Sequence, residues 1–120
     1  MLIYKVLRGS EWAALQADGR SPGAPVDRAD GYVHFSTAAQ LAGTIAKHFA
    51  GETGLRLLAC DAEALGEALR WEPSRGGALF PHLYRPLEAA DVAWSRPLAD
   101  GAHGPLVPDD LDPDDLAPPR

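Results

Sequence analysis

The sequence has little of several things that would have narrowed its reading early. One cysteine, Cys60, in 120 residues closes no disulfide, which excludes a disulfide-stapled secreted scaffold and permits a reducing compartment. No apolar run approaches the ~20 residues of a membrane-spanning helix. The opening MLIYKVLRGSEW turns polar too soon for a secretory leader. The expectation is a soluble cytoplasmic protein with no membrane partner. Positive charge is also scarce, with 11 Lys+Arg against 17 Asp+Glu and a net charge of −6. After Leu98 six aspartates face Arg120 alone, so residues 99–120 carry −5 of that and residues 1–98 only −1. Neither part has the basic stripe that a phosphate backbone requires, so nucleic acid is disfavoured as a partner. The GxxxxGK[ST], GxGxxG and GxSxG patterns are missing, which argues against P-loop enzymes, dinucleotide-binding Rossmann domains and α/β-hydrolases. His34, His48 and His82 fall in no HxxxH or CxxC spacing, and no metal is expected.

What is present reads as one domain, residues 1–98, followed by a flexible acidic, proline-rich tail, residues 99–120. LIYKVL alternates as a strand. Ser10 is placed to cap a short helix that Gly19 ends. GRSPGAPVDRADG, residues 19–31, reads as a long loop, the kind that is usually functional or mobile. YVHFS is a strand with Tyr32, His34 and Ser36 on one face. Thr37 or Ser36 caps a helix from Ala38 to Phe49, where Leu41, Ile45, His48 and Phe49 form a buried stripe. LRLLAC is nearly continuous in apolar residues, as in a central strand covered on both faces. Asp61 caps a helix from Ala62 to Leu69. RWEP is extended, Gly76-Gly77 turns, Pro81 bends the chain, and DVAWSRPL is a last strand. The order predicts a small α+β domain with a mixed, mainly antiparallel sheet.

Three segments carry chemistry. In DGYVHFSTAAQ, His34 and Ser36 emerge ~7 Å apart on one strand face. That suits two groups gripping one ligand better than a nucleophile–base pair; the plain alternative is a satisfied histidine facing the helix. In FPHLY, His82 and Tyr84 share a face, either as half-buried residues of an edge strand or as the second wall of a pocket opposite His34. Glu72 follows Trp71, a neighbour whose bulk raises a carboxyl pKa by desolvation, unless the glutamate is solvated or paired with arginine. Asp27 and Asp30 anchor a sugar or cap turns. Cys60 reads as a small core residue.

Taken in order, IYKVL, DGYVHFSTAAQL, LRLLACD, RWEP and FPHLY resemble the bacterial and plant family known as domain of unknown function 952. That family is grouped by fold with the ADP-ribosyltransferases, which split NAD and move its ADP-ribose. The resemblance implies an ADP-ribosyltransferase-like fold, with Ser36 and Thr37 steadying an NAD-like ligand, His34 lining it, and Tyr4 and Lys5 of the first strand near the ribose. Protein-modifying transferases place a glutamate late in the chain, where LFPHLYRPL here offers His82; Glu72 belongs to an earlier segment. RNA 2′-phosphotransferases use histidine and arginine instead, a set that His34, His82 and Arg85 mimic.

Two readings of function follow. The first is an enzyme of the ADP-ribosyl-transferring type, with His34, His82 and Glu72 catalytic, NAD as substrate, and Tyr4, Lys5, Asp27, Asp30, Tyr32, Ser36, Thr37, Tyr84 and Arg85 binding it. The second is a non-catalytic module for a small metabolite or a protein. Either is a monomer or weak homodimer with a small-molecule ligand. A third, in which the acidic tail recruits a basic partner, rests on composition alone.

Overall fold

A computed structural model of the chain describes residues 1–102 and 104–111. The alternation in LIYKVL folds as β1 (Leu2–Leu7), and both of its faces are buried. It pairs antiparallel with β4 (Arg56–Asp61), which pairs antiparallel with β8 (Val92–Pro97) across a bulge at Ala59/Cys60. The central position of β4 explains its apolar run: Leu57 and Ala59 pack on one side of the sheet, Leu58 and Cys60 on the other. Cys60 is thus a core residue, and burial pushes its thiol pKa up to about 12.

A second antiparallel sheet has the order β3 (Val33–His34), β6 (Leu79–Leu83), β5 (Leu69–Pro73). Two three-stranded sheets and two two-stranded pairs therefore stand where one sheet was expected, and all the pairings described are antiparallel rather than mixed. No bend occurs at Pro81. The strand runs through it: β3 ends at His34, and opposite Pro81 the Phe35 N–H donates to the Pro81 carbonyl at 3.0 Å. The two sheets meet at one bridge. Tyr4 N–H donates to the Ser36 carbonyl at 2.7 Å, and Ser36 N–H returns a bond to the Tyr4 carbonyl at 2.9 Å.

The helices frame that seam. Helix α1 (Gly9–Asp18) starts earlier than Ser10 suggests, because the Glu11 carboxylate accepts the Arg8 N–H at 2.8 Å and so performs the capping. The stretch expected to be a loop contains β2 (Arg20–Ser21), which pairs with β7 (Leu87–Glu88), and a helix, α2 (Pro25–Asp30). Pro25 at its first position loses nothing, since that N–H has no helical partner. Helix α3 (Leu41–His48) starts after a turn in which Thr37 and Gln40 exchange hydrogen bonds. Leu41, Ile45 and Phe49 form the buried stripe, but His48 is exposed, one step round the helix. Asp61 caps α4 (Ala62–Leu65), which tightens into a single turn over Gly66–Ala68.

Beyond Leu98 the described residues of the expected tail make further contacts. β9 (Asp100–Gly101) and β10 (Gly104–Pro105) form a hairpin, Leu111 packs on the core cluster that holds Trp94, and Arg96 grips Asp110 at 2.6 and 3.1 Å. Residues 112–120 of the expected tail lie outside the described residues. No described helix is long and apolar enough to cross a membrane.

Two glycines hold α2 in place. Gly31 ends it at φ 86°, and Gly23 precedes it at φ 95° with no room for a Cβ beside the Asp27 carboxylate. Gly31→Ala should cost about 1–2 kcal/mol, the usual penalty of the left-handed region. Gly23→Ala should cost more, because a clash adds to the strain. Urea midpoints of the two variants check the order, and equal midpoints would contradict it.

Candidate functional site

The site grows from Asp27. Its side chain lies one turn into α2 and is 1 % exposed. Oδ2 accepts from the Lys5 ammonium at 2.7 Å and the Ala24 N–H at 2.7 Å. Oδ1 accepts the His34 N–H at 2.9 Å and faces His34 Nδ1 at 2.5 Å. Burial alone would raise the pKa of this carboxyl, but the His34 hydrogen bonds and the Lys5 charge outweigh it and hold the value at about 2. Lys5 is 5 % exposed, and burial pulls its pKa below that of a free lysine against the attraction of Asp27. One carboxylate therefore ties β1, α2 and β3 together.

His34 sits opposite His82 in the register of β3 and β6. Their rings are 5.3 Å apart between centroids, edge to face. Tyr32 stacks on His82 at 4.2 Å and tilts against His34 at 4.6 Å. The second nitrogen of His34, Nε2, faces Asp30 Oδ2 at 2.9 Å. His82 is 3 % exposed, and its Nδ1 lies 2.9 Å from Glu72 Oε1. The Tyr84 hydroxyl donates to the same Glu72 oxygen at 2.5 Å. That bond, followed by the one from His82, lowers the Glu72 pKa. The expected rise from Trp71 does not occur, because donors in β6 meet the carboxylate while Trp71 remains 38 % exposed.

These groups border a cavity of about 550 Å³ at the seam between the sheets. Tyr4, Lys5, Asp30, Tyr32, His34, Ser36 and His82 all line it, so two segments distant in sequence wall one hollow. Ser36 Oγ and Thr44 Oγ1 are 2.6 Å apart on its wall. Other expected site residues lie elsewhere. Thr37 is used in the turn before α3. Arg85 lies outside the lining and holds Asp91 at 2.8 and 2.9 Å, an acid that sequence distance did not suggest. Glu72 and Tyr84 stand behind His82 rather than in the cavity, and Asp27 stands behind His34.

The lining also includes residues that sequence reasoning passed over. Thr44, Lys47 and His48 fall at i, i+3 and i+4, a polar stripe beside the apolar stripe of α3 that periodicity could have exposed. The His48 pKa is lowered by desolvation and then by the positive charges of Lys47, Arg75, His34 and Lys5. Arg75 comes from a turn. Its guanidinium lies 4.8 Å over the Phe80 ring and close to Gly43, where a Cβ would meet Nη2 at 2.9 Å. Arg8 is held by Glu52 and Glu11. Among the described residues, Arg75 and Lys47 have no carboxylate partner, which leaves the cavity wall cationic within a near-neutral domain. No three His, Cys, Asp or Glu among the described residues are grouped as a metal ion would need.

The chain belongs to the family described as Protein of unknown function (DUF952), whose sequence profile matches residues 6–95. Its fold is similar to the crystal structure of protein CC0527 from Caulobacter crescentus, with a TM-score of 0.85 and 51% identity over 88% of this chain and 94% of that one. A crystal structure of a double mutant of that protein gives 0.85 at 50% identity, again over 88% of this chain and 94% of that one. The solution structure gives 0.77 at 52% identity, over 87% of this chain and 90% of that one. No curated protein matches the chain.

Because the Asp27 pKa in the fold is depressed to about 2, its contribution to stability is fully present above the unfolded value near 4 and is lost as pH falls towards 2. The depression corresponds to about 2 kcal/mol. Asp27→Asn should flatten the fall of stability between pH 5 and pH 2 by about that amount. At pH 7 it should cost about 3–5 kcal/mol, since Lys5 is then buried without a counter-charge. Urea unfolding at several pH values measures both, and an unchanged acid slope would contradict the assignment.

Proposed function

We propose that the cavity binds a nucleotide, NAD or a close relative, and that His34 and His82 act on it with chemistry of the ADP-ribosyltransferase or RNA 2′-phosphotransferase kind. The observation that carries this reading is the pairing of the two rings, 5.3 Å apart, on the wall of one cavity of about 550 Å³. That volume suits a mononucleotide or part of a dinucleotide. The lining supplies what such a ligand needs. Arg75 and Lys47 meet phosphate, Ser36 and Thr44 meet sugar hydroxyls, and Tyr32 and Phe80 offer aromatic faces. The split arrangement of two three-stranded antiparallel sheets is compatible with an ADP-ribosyltransferase-like fold.

Within that reading the acids point away from protein ADP-ribosylation. A glutamate that steadies a ribosyl cation must face the ligand, and Glu72 is held behind His82 by Tyr84 and by His82 itself. His34, His82, Arg75 and Lys47 line the cavity, beside Asp30 and Glu11, and histidine with cations is the set expected of chemistry at phosphate. Arg85, engaged by Asp91, leaves the cationic role to Arg75.

A second reading, a non-catalytic binding module, draws on the Asp30 carboxylate 2.9 Å from His34 Nε2, where a reacting group would have to enter. Calorimetry with NAD, ADP-ribose and 2′-phosphorylated RNA tests the nucleotide reading. At least one should bind, and Arg75→Ala should weaken it by roughly tenfold or more, the loss of one charge-assisted bond. Absence of heat with all three at millimolar ligand and folded protein would overturn it.

A further inference from the structure

We propose that the two histidines form an acid–base pair that opens a nucleoside 2′,3′-cyclic phosphate with water, while Arg75 and Lys47 carry the charge of the phosphate. The inference rests on the reading that the cavity takes a nucleotide, and it goes further in naming the bond that breaks. The two rings are not equivalent. Glu72 Oε1 receives the Tyr84 hydroxyl and has only acceptor character towards His82, so the neutral His82 ring carries its proton on Nδ1. Its lone pair is then on Nε2, the nitrogen of a base. Both nitrogens of His34 face carboxylates, Asp27 at Nδ1 and Asp30 at Nε2. Carboxylates only accept, so an imidazolium satisfies both and a neutral ring satisfies one. His34 is thus prepared as an acid and His82 as a base. The rings sit edge to face at 5.3 Å, a separation at which one small group in the cavity is in reach of both.

Phosphate chemistry fits this pair better than other acid–base work, because Arg75 and Lys47 line the same cavity with no carboxylate partner among the described residues. A small nucleotide fits better than an RNA chain, because residues 1–98 carry a net −1. In the step, His82 Nε2 takes a proton from water as the water oxygen bonds to phosphorus. The bond from phosphorus to one ribose oxygen breaks, its electron pair stays on that oxygen, and the proton of His34 Nε2–H completes the new hydroxyl. The product is a nucleoside monophosphate, and exchange with solvent returns the proton from His82 to His34. The leaving oxygen takes the position of the Asp30 carboxylate, which is 45 % exposed and stands at the end of a six-residue helix. Glu72 is a positioning residue here, acting through the His82 ring.

The test incubates the full chain with 2′,3′-cyclic AMP, GMP, CMP and UMP in a chelating buffer and follows products by phosphorus NMR, with calorimetry of 3′-AMP and NAD in parallel. Turnover of at least one ester with a bell-shaped pH profile is expected. His34→Gln and His82→Gln should each lower it by roughly 100-fold or more while circular dichroism shows a folded chain. Glu72→Gln should lower kcat with little change in KM and shift the acidic limb of the profile, which the protonation of the base His82 sets and which a purely structural residue would not move. Binding of 3′-AMP or NAD without turnover would overturn the acid–base assignment and leave the nucleotide reading standing. Neither binding nor turnover would overturn both. Turnover that survives in both histidine variants, or that vanishes in the chelator, would also overturn the assignment.

Discussion

A single buried carboxylate, Asp27, organises the candidate site. It accepts from four groups on three elements: the Lys5 ammonium, the Ala24 N–H, the His34 N–H and the His34 ring. Taking a carboxylate and an ammonium out of water is costly, and only good geometry with satisfied hydrogen bonds offsets it. Here the oxygens are fully used, so the arrangement tolerates one position of α2, one of β3 and one His34 ring orientation. Gly23 and Gly31 fit the same constraint, one by leaving room for the carboxylate and the other by turning the chain out of α2 towards Tyr32 and His34.

From that anchor the rest of the cavity follows. The Tyr4–Ser36 bridge joins the two sheets where β1 carries Lys5 and where the strand bearing His34 ends. The β3–β6 register then sets His34 against His82, and Glu72 on β5 takes up the far nitrogen of His82. Asp27 and Glu72, which do not line the cavity, orient the two histidines from behind, and on the cavity side Nε2 of His34 meets Asp30. The opposite wall comes from α3 and the Arg75 turn, and it brings cations rather than acids.

Much of this was legible in the residues. Period two in YVHFS placed Tyr32, His34 and Ser36 on one face, and all three line the cavity. The apolar run in LRLLAC announced a central strand, and β4 is one. What sequence could not show is pairing between distant segments. Arg85 and Thr37 were expected to bind the ligand, but Arg85 pairs with Asp91 and Thr37 is engaged by Gln40. Glu72 was judged by its neighbour Trp71, whereas its pKa is set by donors that reach it from β6. The Pro25 helix was hidden because proline and glycine mark loops on average, although proline also opens helices. Arg75 escaped notice because its value depends on Gly43 and Phe80, in other segments. After Leu98, composition speaks for disorder, whereas Leu111 and Asp110 make contacts with the domain that only the distant residues Trp94 and Arg96 reveal.

The central requirement is that His34 and His82 face one occupant from differently prepared rings. Nitrogen-15 spectra of the imidazoles, recorded while 3′-AMP is titrated into the protein, test this directly. Neutral His82 should be protonated on Nδ1, and the Nε2 signals of both rings should move along one saturation curve. A His82 ring protonated on Nε2, or two rings that respond along separate curves, would contradict it.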